Sequence, residues 1–132
     1  MSLKKTSLDK YKASLVEAGC EIEKIYDENE LGFIAQGLNY ILRVDKDDDG
    51  FIEIILPYEL DGASDFSKRY EVCNHIAMTY KLVKCFYVDE GLFVSLESFV
   101  KNAEDFKRTL EYSLRSLNVA YSDVVTKFPD GV

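Results

Sequence analysis

No G-x-x-x-x-G-K-[ST], G-x-G-x-x-G or G-x-S-x-G run occurs in this 132-residue chain. It therefore has no recognisable cradle for nucleotide phosphates and no nucleophile elbow. Histidine is almost missing. With His75 the only one, a Ser-His-Asp or Cys-His arrangement or a multi-histidine metal site could draw on a single imidazole. A histidine beside Asn74 in a helical pattern reads as a surface or interface group. The cysteines Cys20, Cys73 and Cys85 are odd in number and show no C-x-x-C spacing. In apolar or helical surroundings they read as buried thiols of a reducing cytoplasm, not as a disulfide framework.

Long apolar runs are also absent. No stretch reaches the roughly 18 apolar residues of a membrane span, and MSLKKTSLDK carries a lysine pair but no apolar core of a signal peptide. The expectation is a cytoplasmic protein. Basic residues are the scarcer charge, 16 Lys and Arg against 24 Asp and Glu for a net charge of -8, which disfavours phosphate backbones and anionic lipid. Neither nucleic acid nor membrane is expected as a partner. An acidic surface serves solubility, or a basic or aggregation-prone protein partner. Two prolines leave room for long regular elements, and the aliphatic and aromatic content suits a folded domain.

The periodicities predict a helix over about 7–18, with Leu8, Tyr11, Leu15 and Val16 on one face, Thr6 or Ser7 as N-cap and Gly19 as the stop. Strands follow at Glu21–Tyr26, Leu31–Gln36, Asn39–Asp45 and Phe51–Leu56. Gly37 marks one turn, and Pro57 closes the last strand. After the loop Tyr58–Asp65, capped by Ser64 or Asp65, a second helix carries Phe66, Tyr70, Cys73, Ile76 or Ala77 and Tyr80 in a stripe facing the sheet. A hairpin then follows around a Glu90-Gly91 tip, with Val83, Cys85, Tyr87 and then Phe93, Ser95, Glu97 defining its alternating faces. The final helix starts near Asn102, with Asp105 as its capping-box-like partner. It carries Ala103, Phe106, Leu110, Leu114, Leu117, Tyr121 and Val124, and ends at Pro129-Asp130-Gly131.

The run Asp45 to Gly50 imitates a calcium loop, D-x-D-x-D-G. The twelfth place, where a bidentate glutamate must complete the oxygen cage, is Leu56, and the flanks YILRV and FIEII read as strands. A charged hairpin turn is the expectation. The carboxylate pairs Glu28 with Glu30 and Asp89 with Glu90 fall in turns, where solvated charge is the ordinary outcome. Lysines and aromatics interleave at Tyr80, Lys81, Lys84, Phe86 and Tyr87, as on a base-stacking sheet, but the aromatics are better read as strand core. What remains is an apolar surplus for one small sheet, some of it available to a partner or a second copy, the final helix included.

The segment VCNHIAMTYKLVKCFYVDEGLFVSLESFV, followed by AEDFKRTLEYSLRSL, resembles the YbjN-like proteins. These are described as sensory transduction regulators, with a domain similar to type III secretion chaperones. The family pattern of an Asn in the second helix, a Lys-x-x-hydrophobic strand, an acidic-Gly turn and an apolar strand is matched by Asn74, Lys84 with Tyr87, Asp89-Glu90-Gly91 and Leu92-Phe93-Val94. Upstream, LVEAGCEIEKIYDENELGFIAQGLNYILRV fits the same plan. A second Asn expected three residues after the first is Ala77 here. The resemblance implies a small cytoplasmic homodimer with a chaperone-like fold, and it supplies no catalytic residues.

The resulting expectation is one domain over residues 1–132. Its class is α+β, an antiparallel sheet of about five strands covered by helices in the order α-β(3-4)-α-β-β-α. The function expected is a non-catalytic protein-interaction module that holds a protein segment or its own twin. The alternative is a small-molecule sensor or enzyme with a pocket between sheet and helix. No catalytic, cofactor-binding or metal-binding residue is assigned. Asn74, Lys84 and Gly91 are positions of interest without a role.

Overall fold

A computed structural model describes residues 7–60, 66–88 and 91–129. The element order is α1 (Ser7–Glu17), β1 (Glu21–Asp27), β2 (Glu30–Ala35), β3 (Leu38–Val44), β4 (Phe51–Glu59), α2 (Phe66–Thr79), β5 (Val83–Val88), β6 (Gly91–Phe99) and α3 (Ala103–Lys127). The strands form one six-stranded sheet in the order β1-β2-β3-β4-β6-β5, every pairing antiparallel. The class is therefore the expected α+β, with six strands where the periodicities suggested about five.

Local chemistry explains the joints. After α1, the Gly19 amide donates to the Val16 carbonyl at 3.0 Å and the Cys20 amide to that of Leu15 at 2.9 Å. This is the double bond pattern of a Schellman stop, with Gly19 at φ 88. Gln36 and Gly37 take φ 52 and 79 in the two-residue loop between β2 and β3, the backbone hand that matches strand twist. At α3 the Asn102 side chain accepts from the Asp105 amide at 2.9 Å, and the Asp105 carboxylate accepts from the Lys101 amide at 3.0 Å. The first bond satisfies an orphan donor of the helix; the second falls on the residue before the cap, where a capping box would return to the Asn102 amide itself.

All three helices pack into a single cluster with one side of the sheet. Leu8, Tyr11 and Leu15 come from α1, Val72 and Ile76 from α2, and Phe106, Leu110, Leu117, Ala120 and Val124 from α3. They meet Phe33, Tyr40, Leu42, Ile54, Leu56, Val94 and Leu96 of the strands. Each such aliphatic side chain removed from water contributes roughly 1.5–3 kcal/mol before conformational entropy is counted. The opposite side of the sheet is left without a helix among the described elements.

Several expectations change. Val16 is exposed, because α1 turns only Leu8, Tyr11 and Leu15 inward. Pro57 does not end β4, which runs on to Glu59. The ladder to β3 has already stopped at Ile55, so the proline sits where β4 has a partner on one side only. On α2 the inward residues are Arg69, Val72 and Ile76, while Phe66 and Tyr70 are 56 % and 62 % exposed. The stripe is rotated because those rings lean on Tyr87 of the edge strand, at 6.1 and 5.1 Å between centroids, instead of entering the core. Gly91 is the first residue of β6, opposite Val88, and lacks the positive φ of a turn glycine. On α3, Ala103 is exposed and Leu114 and Tyr121 only partly buried, whereas Ser113 and Ala120 are fully buried. The expected roles of Thr6, Ser64, Asp65, Asp89, Glu90, Asp130 and Gly131, and of the Ser7 side chain, lie outside what is described.

Candidate functional site

Strand alternation places two kinds of residue on the helix-free side of the sheet. In register across β2, β3, β4 and β6 stand Glu30, Arg43, Glu53 and Glu97, and Lys84 of β5 reaches the same row. Arg43 donates to Glu30 at 3.1 Å and to Glu53 at 3.3 Å; Lys84 donates to Glu97 at 2.8 Å and lies 4.0 Å from Glu53. The hydrogen bond to Glu97 holds the Lys84 ammonium above its ordinary pKa. Glu53, central in the row, is only 8 % exposed and is satisfied by the two cations flanking it. Because most of these groups remain half-exposed, each pair adds at most about 1 kcal/mol. The row's importance is that no carboxylate in it is left alone.

On either side of this row the same face is apolar. Phe51 and Phe99 are direct cross-strand partners with ring centroids 4.9 Å apart, and Phe99 is 75 % exposed. Beyond the row, Ile41 pairs with Ile55, and Pro57 pairs with Phe93, whose ring meets Phe86 at 5.5 Å. Phe86 is therefore not helix-side core, as expected from its strand, but part of the uncovered face. Ser95, between Ile55 and Lys84 in register, is fully buried with no hydrogen-bond partner for its hydroxyl.

A cleft of about 440 Å³ opens at one end of this face, lined mainly by Asp27, Glu30, Arg43, Asp45, Asp47 and Glu97. The run Asp45 to Gly50 forms its rim as the charged turn expected. The Asp45 carboxylate accepts from the Asp47 and Asp48 amides at 3.1 and 3.0 Å, and the Asp48 carboxylate from the Gly50 amide at 3.0 Å. Both side chains thus serve the turn. Leu56, the twelfth place of the imitated calcium loop, is buried in β4. Among the described residues no group of three or more His, Cys, Asp or Glu side chains could hold a metal ion. Between α1 and the start of α3 a smaller hollow of about 190 Å³ is lined by Tyr11, Ser14, Val100, Asn102 and Phe106.

His75 lies outside both hollows. Its Nε2 is 3.1 Å from Asp123, and the Tyr80 hydroxyl donates to the same carboxylate at 2.8 Å, so the cluster fastens α2 and the turn after it to α3. The Tyr80 bond does most to depress the Asp123 pKa; burial opposes it, and the bond and charge of His75 lower it further. A carboxyl depressed in the folded state stabilises above its unfolded pKa, and that contribution fades as pH falls through the folded value. Asp123→Asn is accordingly expected to lower the melting temperature at neutral pH, with the gap to wild type closing below the ordinary carboxylate range. Thermal scans from neutral to strongly acidic pH check it; a gap that stays constant would show that the charge of Asp123 is not what matters.

The positions singled out in the sequence do not converge. Asn74 is exposed and its side chain donates to the Met78 sulfur at 3.4 Å, and Glu28 is exposed in the turn before β2. Lys84 alone joins the charged row. Of the three thiols only Cys20 is buried; Cys73 and Cys85 are half-buried and face one another. Among the described residues no helix is long and apolar enough to cross a membrane.

No protein-family model matches the chain, and no curated protein matches it. Among solved structures it is similar to the crystal structure of an uncharacterized protein from Methanothermobacter thermautotrophicus. The TM-score is 0.63 at 14 % sequence identity, over 92 % of this chain and 99 % of that one. That likeness is one of fold.

Proposed function

We propose that this protein is a non-catalytic interaction module whose helix-free sheet face binds protein, a second copy of the chain being its first partner. The observation that carries the reading is the one-sided cover. Three helices close one side of the sheet, while Phe51, Phe86, Phe93 and Phe99 lie on the other with none of the described elements over them. A soluble domain that leaves aromatic residues together on an uncovered face has a use for them. The row through Glu53, three carboxylates against two cations, supports docking there, since each of its carboxylates already has a cation partner. The chaperone-like form, in which the same face or the edge strand β5 holds an extended segment of another protein, rests on the YbjN-like resemblance and on the general capacity of sheets for such binding.

A second reading, a small-molecule sensor, draws on the acidic cleft beside the Asp45 to Gly50 turn. Its volume falls in the range of ligand pockets, although its lining is more charged than most.

Size-exclusion chromatography with light scattering over a concentration series tests the first reading. The wild type is expected to run as a dimer, and the double variant Val88→Glu, Phe99→Glu to dissociate at least about tenfold more readily, equivalent to ~1.4 kcal/mol. Both residues are exposed on the uncovered face. Circular dichroism should stay put, the unfolding midpoint should fall only at concentrations where the wild type is dimeric, and Met78→Glu on exposed α2 should leave the dimer intact. A wild type that remains monomeric throughout sinks the self-association reading. A metabolite retained in native mass spectrometry would then favour the sensor.

A further inference from the structure

Cys73 and Cys85 are brought together by the short reversal between α2 and β5. Helix α2 ends at Thr79, and the three residues Tyr80 to Leu82, with Leu82 at φ 65, turn the chain so that β5 runs back along the helix. Cys73 lies on the α2 flank facing the sheet edge. Cys85 lies on the helix side of β5, opposite Val94. Their sulfurs are 3.5 Å apart, the Cys85 thiol donating to the Cys73 sulfur. The residues are twelve apart in sequence, and β5 is the outermost strand, so the pair sits at the rim of the molecule. Both are only partly buried, in contrast to Cys20.

We propose that Cys73 and Cys85 form a reversible dithiol–disulfide site, oxidised by small-molecule disulfides of the glutathione type and tying α2 covalently to the edge strand. Closing the gap to the roughly 2.05 Å of a disulfide requires side-chain rotation of two groups already in contact. The hydrogen bond from Cys85 draws the Cys73 thiol below its ordinary pKa, while that bond and burial push Cys85 up. This asymmetry makes Cys73 the attacking sulfur and Cys85 the resolving one.

In the first step the Cys73 thiolate attacks one sulfur of the glutathione disulfide. That S–S bond breaks, a Cys73–glutathione disulfide forms, and one glutathione thiolate leaves to take up a proton. Cys85 then releases its proton and attacks the Cys73 sulfur, expelling the second glutathione. Two protein thiols lose two electrons and two protons, and one glutathione disulfide becomes two thiols. Cys20 takes no part: it is buried at the end of α1, and burial raises its pKa.

The test treats the reduced full chain with excess oxidised glutathione, quenches with acid, caps free thiols with N-ethylmaleimide in denaturant so that buried Cys20 is reached, and measures intact mass and peptide maps. The expected product is a monomolecular species lacking two hydrogens, with one alkylated thiol at Cys20 and a peptide linking Cys73 to Cys85. Cys85→Ser should stop at a glutathione adduct on Cys73, and Cys73→Ser should react far more slowly; circular dichroism establishes that each variant is folded. Should either serine variant fail to fold, the wild-type map alone decides. Three alkylated thiols after prolonged treatment, a link through Cys20, or a link between two chains would each overturn the proposal.

Discussion

Replacing Phe106 by alanine is expected to lower the unfolding free energy by about 3–5 kcal/mol, the range for a fully buried aromatic truncated in a close-packed core. Phe106 is completely buried in the first turns of α3, and its ring packs on Tyr11 of α1 with centroids 4.8 Å apart. Tyr11 in turn donates its hydroxyl to the Asp49 carbonyl. Burial, aided by the neighbouring Asp49 and Asp48 charges, raises the Tyr11 pKa to about 12, so the phenol remains a donor at neutral pH. One ring therefore joins two helices and, through Tyr11, braces the turn that rims the acidic cleft. The cavity left by alanine would remove contacts from Tyr11 as well as from the sheet. Urea unfolding followed by circular dichroism measures it. An unchanged slope with a much lower midpoint is expected, and a loss below about 1 kcal/mol would mean that the α1–α3 junction collapses to fill the space.

The substitution Ala120→Leu is expected to destabilise by about 1–3 kcal/mol, although leucine is nearly as good a helix former as alanine. Ala120 is fully buried on α3. The buried positions Phe106, Leu110, Ser113, Leu117, Ala120 and Val124 alternate steps of four and three along the helix, and the two small residues occupy places where larger ones would fill the space. Three added heavy atoms must displace a neighbour or push the helix off the strands. Were Ala120 on the outward side of α3, the same change would be silent. Thermal unfolding of the variant separates the two: no shift in melting temperature would mean that the helix is free to rotate about its axis.

Much of the architecture is legible residue by residue. Gly19 after an amphipathic run stops α1, Gly37 turns β2 into β3, and Asn102 with Asp105 opens α3, because each acts through backbone geometry or a hydrogen bond within a few residues. The alternation in Tyr40, Leu42 and Val44 likewise places those side chains on the buried side without reference to any other segment. The charged turn from Asp45 to Gly50 belongs to the same class, since its carboxylates bond amides two or three residues away.

Helical register on α2 and α3 is less accessible. A pattern of Phe66, Tyr70 and Cys73 is apolar enough to face a core, yet Arg69 and Val72 do so instead, with Phe66 and Tyr70 wrapping the sheet edge at Tyr87. Hydropathy ranks side chains one at a time. An aromatic ring at a rim and one in a core look alike to it, and a long side chain such as Arg69 can run inward while its ring neighbours cover it. Ser113 and Ala120 are missed for the converse reason, that small residues carry little hydrophobic signal even where close approach demands them.

The candidate site is the least legible part. Glu30, Arg43, Glu53, Lys84 and Glu97 each read as the polar side of a strand, and nothing in their spacing along the chain says that they form one row. What this sequence determined by itself is the set of elements, the stop of α1, the β2–β3 turn, the cap of α3 and the antiparallel class, since these follow from interactions within a few residues of each other. Tertiary structure alone decided that all three helices share one side of the sheet, that among the described elements none covers the phenylalanines on the other side around a row of paired charges, and that Cys73 meets Cys85. Those outcomes depend on strand order and helix placement. Both are set by the packing of the whole core, which joins residues distant in the chain.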